Sequence, residues 1–213
     1  RGAHTDLIVD IILDTKTRQP TTRLSQVFQS MDLSILQGSM SELIEWERSV
    51  FQEYQFLDFK EYRKQRLKSL ERFRTAGPNI PALIEYVKTH QPKIAVFAGS
   101  FNPMHIGHED VVRQAEKMFD KVIVARGENP EKKLVADSDL TRILPYHQID
   151  GYKGFLTDYL KNLGYPVTLV RGLRNSNDLV AEQAQLRYMQ ELAPEVQVTF
   201  VITDQRLDHL SSS

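Results

Sequence analysis

The chain has no cysteine among its 213 residues, which excludes disulfides, thiol catalysis and thiolate-held metals. It carries almost no net charge, 27 basic against 28 acidic residues, so its overall balance calls for no nucleic-acid partner. No stretch approaches the roughly 18 consecutive apolar residues of a membrane span, and no signal peptide opens the sequence. A cytoplasmic protein with no membrane partner is the expectation. Low-complexity tracts are missing too. Neither GxxxxGK[ST] nor GxGxxG occurs, which removes the two commonest glycine-rich phosphate loops. At this length the chain holds one large domain, or a medium-sized domain with an extension.

The most informative stretch is Gly99-Ser100-Phe101-Asn102-Pro103-Met104-His105-Ile106-Gly107-His108. It follows Lys93 to Ala98 (KIAVFA), a short β-branched run that reads as a buried parallel strand. Asp110 to Phe119 comes next with Val111, Val112, Ala115, Met118 and Phe119 at helical spacing. Strand, turn and helix in this order put the turn at the carboxyl end of a parallel strand, where open α/β sheets bind ligands. The first N–H groups of the helix and its dipole favour an anion there. Two histidines three residues apart could instead ligate a metal, but zinc wants three or four protein ligands, and only a fold could bring up His147 or His209. Imidazole donors facing a phosphoryl group would stabilise charge that grows on it in a transition state.

Arg171-Gly172-Leu173-Arg174 follows the apolar run Val167 to Val170 and sets two guanidinium groups at a second strand end, suited to phosphate oxygens. The chain closes on His209-Leu210-Ser211-Ser212-Ser213 after the strand-like Val196 to Ile202. Gly-Ser-Phe-Asn-Pro-x-His-x-Gly-His resembles the first signature of the HxGH nucleotidyltransferase superfamily. Taken in order, GSFNPMHIGH, FDKVIVAR, NPEKK, RGLR and LSSS resemble the bacterial phosphopantetheine adenylyltransferase family over about residues 93 to 213.

The resemblance implies a three-layer, Rossmann-like α/β fold with a parallel sheet. It also implies a pantetheine-phosphate adenylyltransferase: AMP passes from ATP with Mg2+ to 4'-phosphopantetheine, giving dephospho-CoA and pyrophosphate in coenzyme A biosynthesis, by direct in-line transfer. The implied catalytic residues are His108, His105, Lys132 and Arg174. Ser100, Lys132 and Arg171 would bind the acceptor. Gly99, Ser100, Phe101, His108, Arg174, Glu182, Ser211, Ser212 and Ser213 would line the nucleotide. Family members commonly form homo-oligomers, often hexamers. The spelling departs from the family in Asn102 and His105, where phosphopantetheine enzymes usually read Thr-Phe-Asp and lack the first histidine. Mononucleotide adenylyltransferases more often read GSFNP with His-x-Gly-His, so nicotinate or nicotinamide mononucleotide is the alternative acceptor. The segment between Lys133 and Gly154 is also shorter than in the family, which leaves a nucleotide-binding regulatory domain of weak turnover as a third reading.

Residues 1 to 92 lie outside the resemblance and read as a mixed, mainly helical extension before a nucleotidyltransferase domain at 93 to 213. Leu7 to Leu13 (LIVDIIL) reads as a strand, Thr15 to Thr22 as a polar turn, and the chain from Ser41 onward as helix. Lys60 to Arg74 is basic, and an amphipathic helix with solvated charges accounts for it better than a nucleic-acid face. Gly77-Pro78 precedes a further helix, Ile80 to Lys88.

Overall fold

A computed structural model describes residues 3–17, 19–128, 139–174 and 176–203. The chain divides into two compact units, Arg1–Phe51 with Lys60–His90, and Gln52–Phe59 with Gln91–Ser213.

The first unit is helical. The apolar run at Leu7 to Leu13, expected as a strand, is the middle of helix α1 (Ala3–Thr17). A run apolar on successive residues has no two-residue alternation, so length and flanks decide. Here Asp6 in the first turn and Lys16 in the last complement the helix dipole, and the helix runs for 15 residues. The polar turn after it is built by Asp14, whose Oδ2 accepts from Thr21 N–H at 2.9 Å and from the Thr21 hydroxyl at 2.8 Å. Thr22 then caps α2 (Arg23–Asp32), its hydroxyl accepting from Ser25 N–H at 3.0 Å. A short 3-10 helix (Ser34–Gln37) leads to α3 (Met40–Glu53), α4 (Phe59–Glu71) and α5 (Ile80–Thr89). Leu36, Leu43, Leu70, Ile80, Leu83, Ile84 and Val87 form their common core. The basic helix α4 buries Tyr62 and Leu70, and its Arg66 Nε donates to the buried Glu47 carboxylate at 2.7 Å.

The second unit is an α/β sheet. Its strands are β1 (Ile94–Gly99), β2 (Lys121–Gly127), β3 (Gln148–Tyr152), β4 (Thr168–Leu173) and β5 (Gln197–Ile202). They pair in the order β3-β2-β1-β4-β5, every pair parallel. The helices around them are α6 (Ile106–Glu116), α7 (Leu140–Ile143), α8 (Leu156–Leu163) and α9 (Ser176–Leu192). This is a Rossmann-like order, and its topological switch lies between β1 and β4, where the strand order reverses. The runs IAVFA and KVIVA are buried without a break, as parallel strands covered on both faces must be. Ala95, Phe97, Val112, Val122, Val124 and Val170 belong to the core between the sheet and α6.

Residues 52–59, which run from the last residues of α3 to the first of α4, belong to this second unit. The reason is electrostatic. Lys121 opens β2 with its side chain 1% exposed, and burial pushes its ammonium down to about 8, against the pull of Asp58 and Asp150. An ammonium so buried must be hydrogen-bonded. It donates to the carbonyls of Gln55 and of Leu57, the latter at 2.9 Å. Gln55 in turn donates to the Asp120 carbonyl at 2.6 Å, and Tyr165 donates to Asp58 at 2.9 Å. A chain beginning at Gln91 loses these partners. Its sheet unit is expected to unfold in urea with a free energy lower by about 3 kcal/mol or more, the scale of one or two hydrogen bonds to a buried charge. An unfolding midpoint equal to that of the full chain would refute this role for 52–59.

Candidate active site

The strand β1 ends at Gly99, and the chain turns through Ser100 to Met104 before α6 begins with His105 at its N-cap. Phe101 holds the turn. Its backbone is left-handed, φ 44°, a conformation an aromatic residue rarely takes unless its surroundings compensate. The compensation is burial: the side chain is 1% exposed, with its ring 5.1 Å from that of Phe97 and 5.2 Å, edge-on, from His108. Gly99 is required by the same packing, since a Cβ there would sit 2.9 Å from the Phe101 ring. The Phe101 ring is therefore a packing group, and only its backbone faces the turn.

The motif histidines stack on each other, ring centroids 3.6 Å apart and 25° from parallel. His108 Nδ1 accepts from the backbone N–H of His105 at 3.2 Å. In the neutral ring the proton then sits on Nε2, which makes that atom a donor. Burial, and after it the charges of His105 and Arg174, push His108 down to about 4. Burial and Arg174 lower His105 as well. Both rings are thus neutral near pH 7.

Arg171 and Arg174 arrive from β4. Gly172 between them lets β4 approach α6, for a Cβ at that position would meet Val111 Cγ2 at 2.6 Å. The far end of α6 is tied to the same side of the sheet, Gln114 donating to the Ile202 carbonyl at 3.0 Å, while Thr203 N–H donates to the Leu173 carbonyl at 2.9 Å. Arg171 donates through Nε and Nη2 to Glu182 at 2.7 and 2.5 Å, and through Nη1 to the carbonyl of Ala98 at 3.3 Å. It therefore ties β4 to the end of β1 and to α9. Arg174 is held in the same manner by Asp178, at 2.9 Å from Nε and 3.0 Å from Nη2.

The fold thus gathers Gly99, Ser100, His105, His108, Arg171, Arg174 and Glu182 at the carboxyl ends of β1 and β4. Lys132, Ser211, Ser212 and Ser213 lie outside the described residues. His147 is not part of this group and pairs with Glu116 at 2.9 Å. Among the described residues no three His, Asp or Glu side chains converge in a way that could hold a metal ion. One residue beside the site escapes the reading of the sequence alone: Asp178, which secures Arg174. Its signal is its place four residues after Arg174.

Among the described residues no helix is long and apolar enough to cross a membrane. Residues 96–213 match the family described as cytidylyltransferase-like. The chain is similar to the phosphopantetheine adenylyltransferase of Roseiflexus castenholzii, 35% identical over 128 residues that cover 56% of this chain and 79% of the relative. It is similar to that of Cytophaga hutchinsonii at 36% over 131 residues, covering 57% and 85%. Its likeness to the solved bifunctional NMN adenylyltransferase/ADP ribose pyrophosphatase of Francisella tularensis is low, with 18% identity and a TM-score of 0.38 over 55% of this chain and 41% of that one. The family match takes in more than half of the chain and contains the turn at the end of β1, the two motif histidines and the RGLR arginines, so the chain belongs to the cytidylyltransferase-like family of nucleotidyltransferase enzymes.

Proposed function

We propose that this protein transfers AMP from ATP to 4'-phosphopantetheine, releasing pyrophosphate and forming dephospho-CoA. The observation that carries the reading is the joint placement of Arg174 and the stacked His105–His108 pair at the switch between β1 and β4, which matches what nucleotidyl transfer demands. The acceptor is taken from the names of the relatives, of which this chain covers 79% and 85% in the two cases above.

An acceptor phosphate oxygen attacks the α-phosphorus of ATP, the new P–O bond forms, and the bond to the β,γ-diphosphate breaks on the opposite side. Pyrophosphate leaves with the electron pair. No covalent enzyme intermediate is needed, so the protein's task is to align two phosphates and stabilise the added charge. His108, neutral and protonated on Nε2, donates to a phosphoryl oxygen without first taking up a proton. Arg174 supplies the fixed positive charge. In this reading Ser100, Lys132 and Arg171 serve the acceptor side, and Glu182 with Ser211, Ser212 and Ser213 the nucleotide side. Mg2+ would be carried by the phosphates and water, as is usual for this ion, because the Asp178 and Glu182 carboxylates are each engaged by an arginine.

A second acceptor is favoured by a specific feature. His105 stacks on His108 and caps α6, a constellation spelled GSFNPMHIGH, and that spelling suits nicotinate or nicotinamide mononucleotide.

Pyrophosphate release from ATP, measured separately with 4'-phosphopantetheine and with the two mononucleotides, is expected with the first alone. Turnover only with a mononucleotide sinks the leading reading, and ATP binding without turnover of any of the three favours a regulatory role. His108→Ala is expected to lower kcat about 100-fold or more, the scale of losing one donor to transition-state charge. A rate within a few-fold of the parent would remove His108 from the chemistry.

The pH dependence has a definite sign. The folded value of about 4 lies below the ordinary value of 6.5, so the contribution of neutral His108 to stability is complete above 6.5 and is lost as pH falls through 4. The rate should accordingly show no ionisation near pH 6.5 from this ring, and its NMR resonances should titrate near pH 4. A midpoint near 6.5 contradicts the geometry.

A further inference from the structure

The two arginines at the end of β4 are each gripped by a carboxylate of α9, one helical turn apart. The Asp178 grip is the fuller one. Its Oδ2 accepts from the Arg174 backbone N–H at 2.9 Å and from Arg174 Nε at 2.9 Å, while Oδ1 accepts from Nη2 at 3.0 Å. Two parallel bonds to the planar fork fix the plane of the guanidinium. The third bond fixes the peptide from which that side chain departs, so root and head of Arg174 are held by one carboxylate.

The location suits this work. Asp178 is in the first turn of α9, where a carboxylate is favoured by the helix dipole and can reach back to an N–H before the helix. Arg174 is 35% exposed and Asp178 22%, so the pair is neither lost to bulk solvent nor sealed away from a ligand. Asp178 occupies the Nε–Nη2 edge of the fork. The charge placed in this way lies near enough to the stacked histidines to depress both of them.

We propose that Asp178 is a positioning residue of the transfer site, which sets the plane and reach of Arg174 toward the His105–His108 pair without itself touching substrate. The inference rests on the nucleotidyl-transfer reading above. It differs from an ordinary surface pair at i,i+4, which holds only two side-chain heads and contributes little.

A double-mutant cycle tests it. Asp178→Ala is expected to lower kcat/KM for ATP by about 10- to 100-fold, the range for a displaced binding group. The same substitution should add little on top of Arg174→Ala, because the group it orients is then gone. Asp178→Glu keeps the charge and both oxygens and should recover most of kcat/KM, whereas Asp178→Asn should not. Losses that add in full, or kcat/KM unchanged in Asp178→Ala, would overturn the proposal. Should Asp178→Ala fail to fold, the near-isosteric Asp178→Asn replaces it in the cycle under the same criterion. ATP affinity is measured alongside by calorimetry, with roughly tenfold weakening expected in Asp178→Ala. If the parent protein turns over none of the three acceptors, the functional reading fails. The cycle is then decided on ATP affinity, where equal binding by Asp178→Ala and the parent overturns the role of Asp178.

Discussion

The site depends on the parallel pairing of β1 with β4. These strands are 74 residues apart from Ile94 to Thr168, yet Ala95, Val96 and Phe97 stand opposite Thr168, Leu169 and Val170. That register brings Gly99 and Arg171 to one end of the sheet, and it needs close approach of α6 to β4. Gly172 provides the approach, because any side chain there would collide with Val111. The glycine of RGLR is thus a packing residue, and the arginines on either side of it inherit their position from it.

Around this pairing the molecule spends buried groups in two ways. Some hold the architecture: Lys121 captures the carbonyls of residues 55 and 57, so a segment from the middle of the helical half belongs to the sheet unit. Others hold the chemistry. Phe101 accepts a left-handed backbone because its ring is buried among Phe97 and His108, and the turn it makes delivers His105 to the start of α6. Burial and the nearby Arg174 charge push both histidines toward neutrality, and His105 adds to the effect on His108. Neutral imidazole remains a hydrogen-bond donor, which is what a phosphoryl oxygen requires, and a doubly charged pair at 3.6 Å would be self-repelling.

Much of the sheet unit was legible in the sequence because β1 and β2 carry the apolar runs IAVFA and VIVA, β4 follows the apolar run Val167 to Val170, and the segments after them are spelled in glycine, histidine and arginine. The strand Gln148–Tyr152 was not, since QIDGY has neither an apolar run nor an alternation that outweighs its polar residues. Leu7 to Leu13 folds as helix and not as the expected strand, because a short, mostly apolar run without strict alternation fits both. Asp178 was overlooked for a different reason: an aspartate in the first turn of a helix is ordinary, and only its three bonds to Arg174 give it a meaning.

The sequence by itself determined the chemistry on offer: two histidines at the mouth of a helix, two arginines after a strand, and no cysteine or glycine-rich nucleotide loop to suggest another reaction. Those are properties of residue type and local spacing, which a linear pattern preserves. Only the tertiary structure decided which groups face one another. It stacked His105 on His108, paired Arg171 with Glu182 and Arg174 with Asp178, and brought the Arg174 charge within electrostatic reach of both rings. Strand order and register fix those distances, and they arise from the burial of the whole sheet, which no single motif encodes.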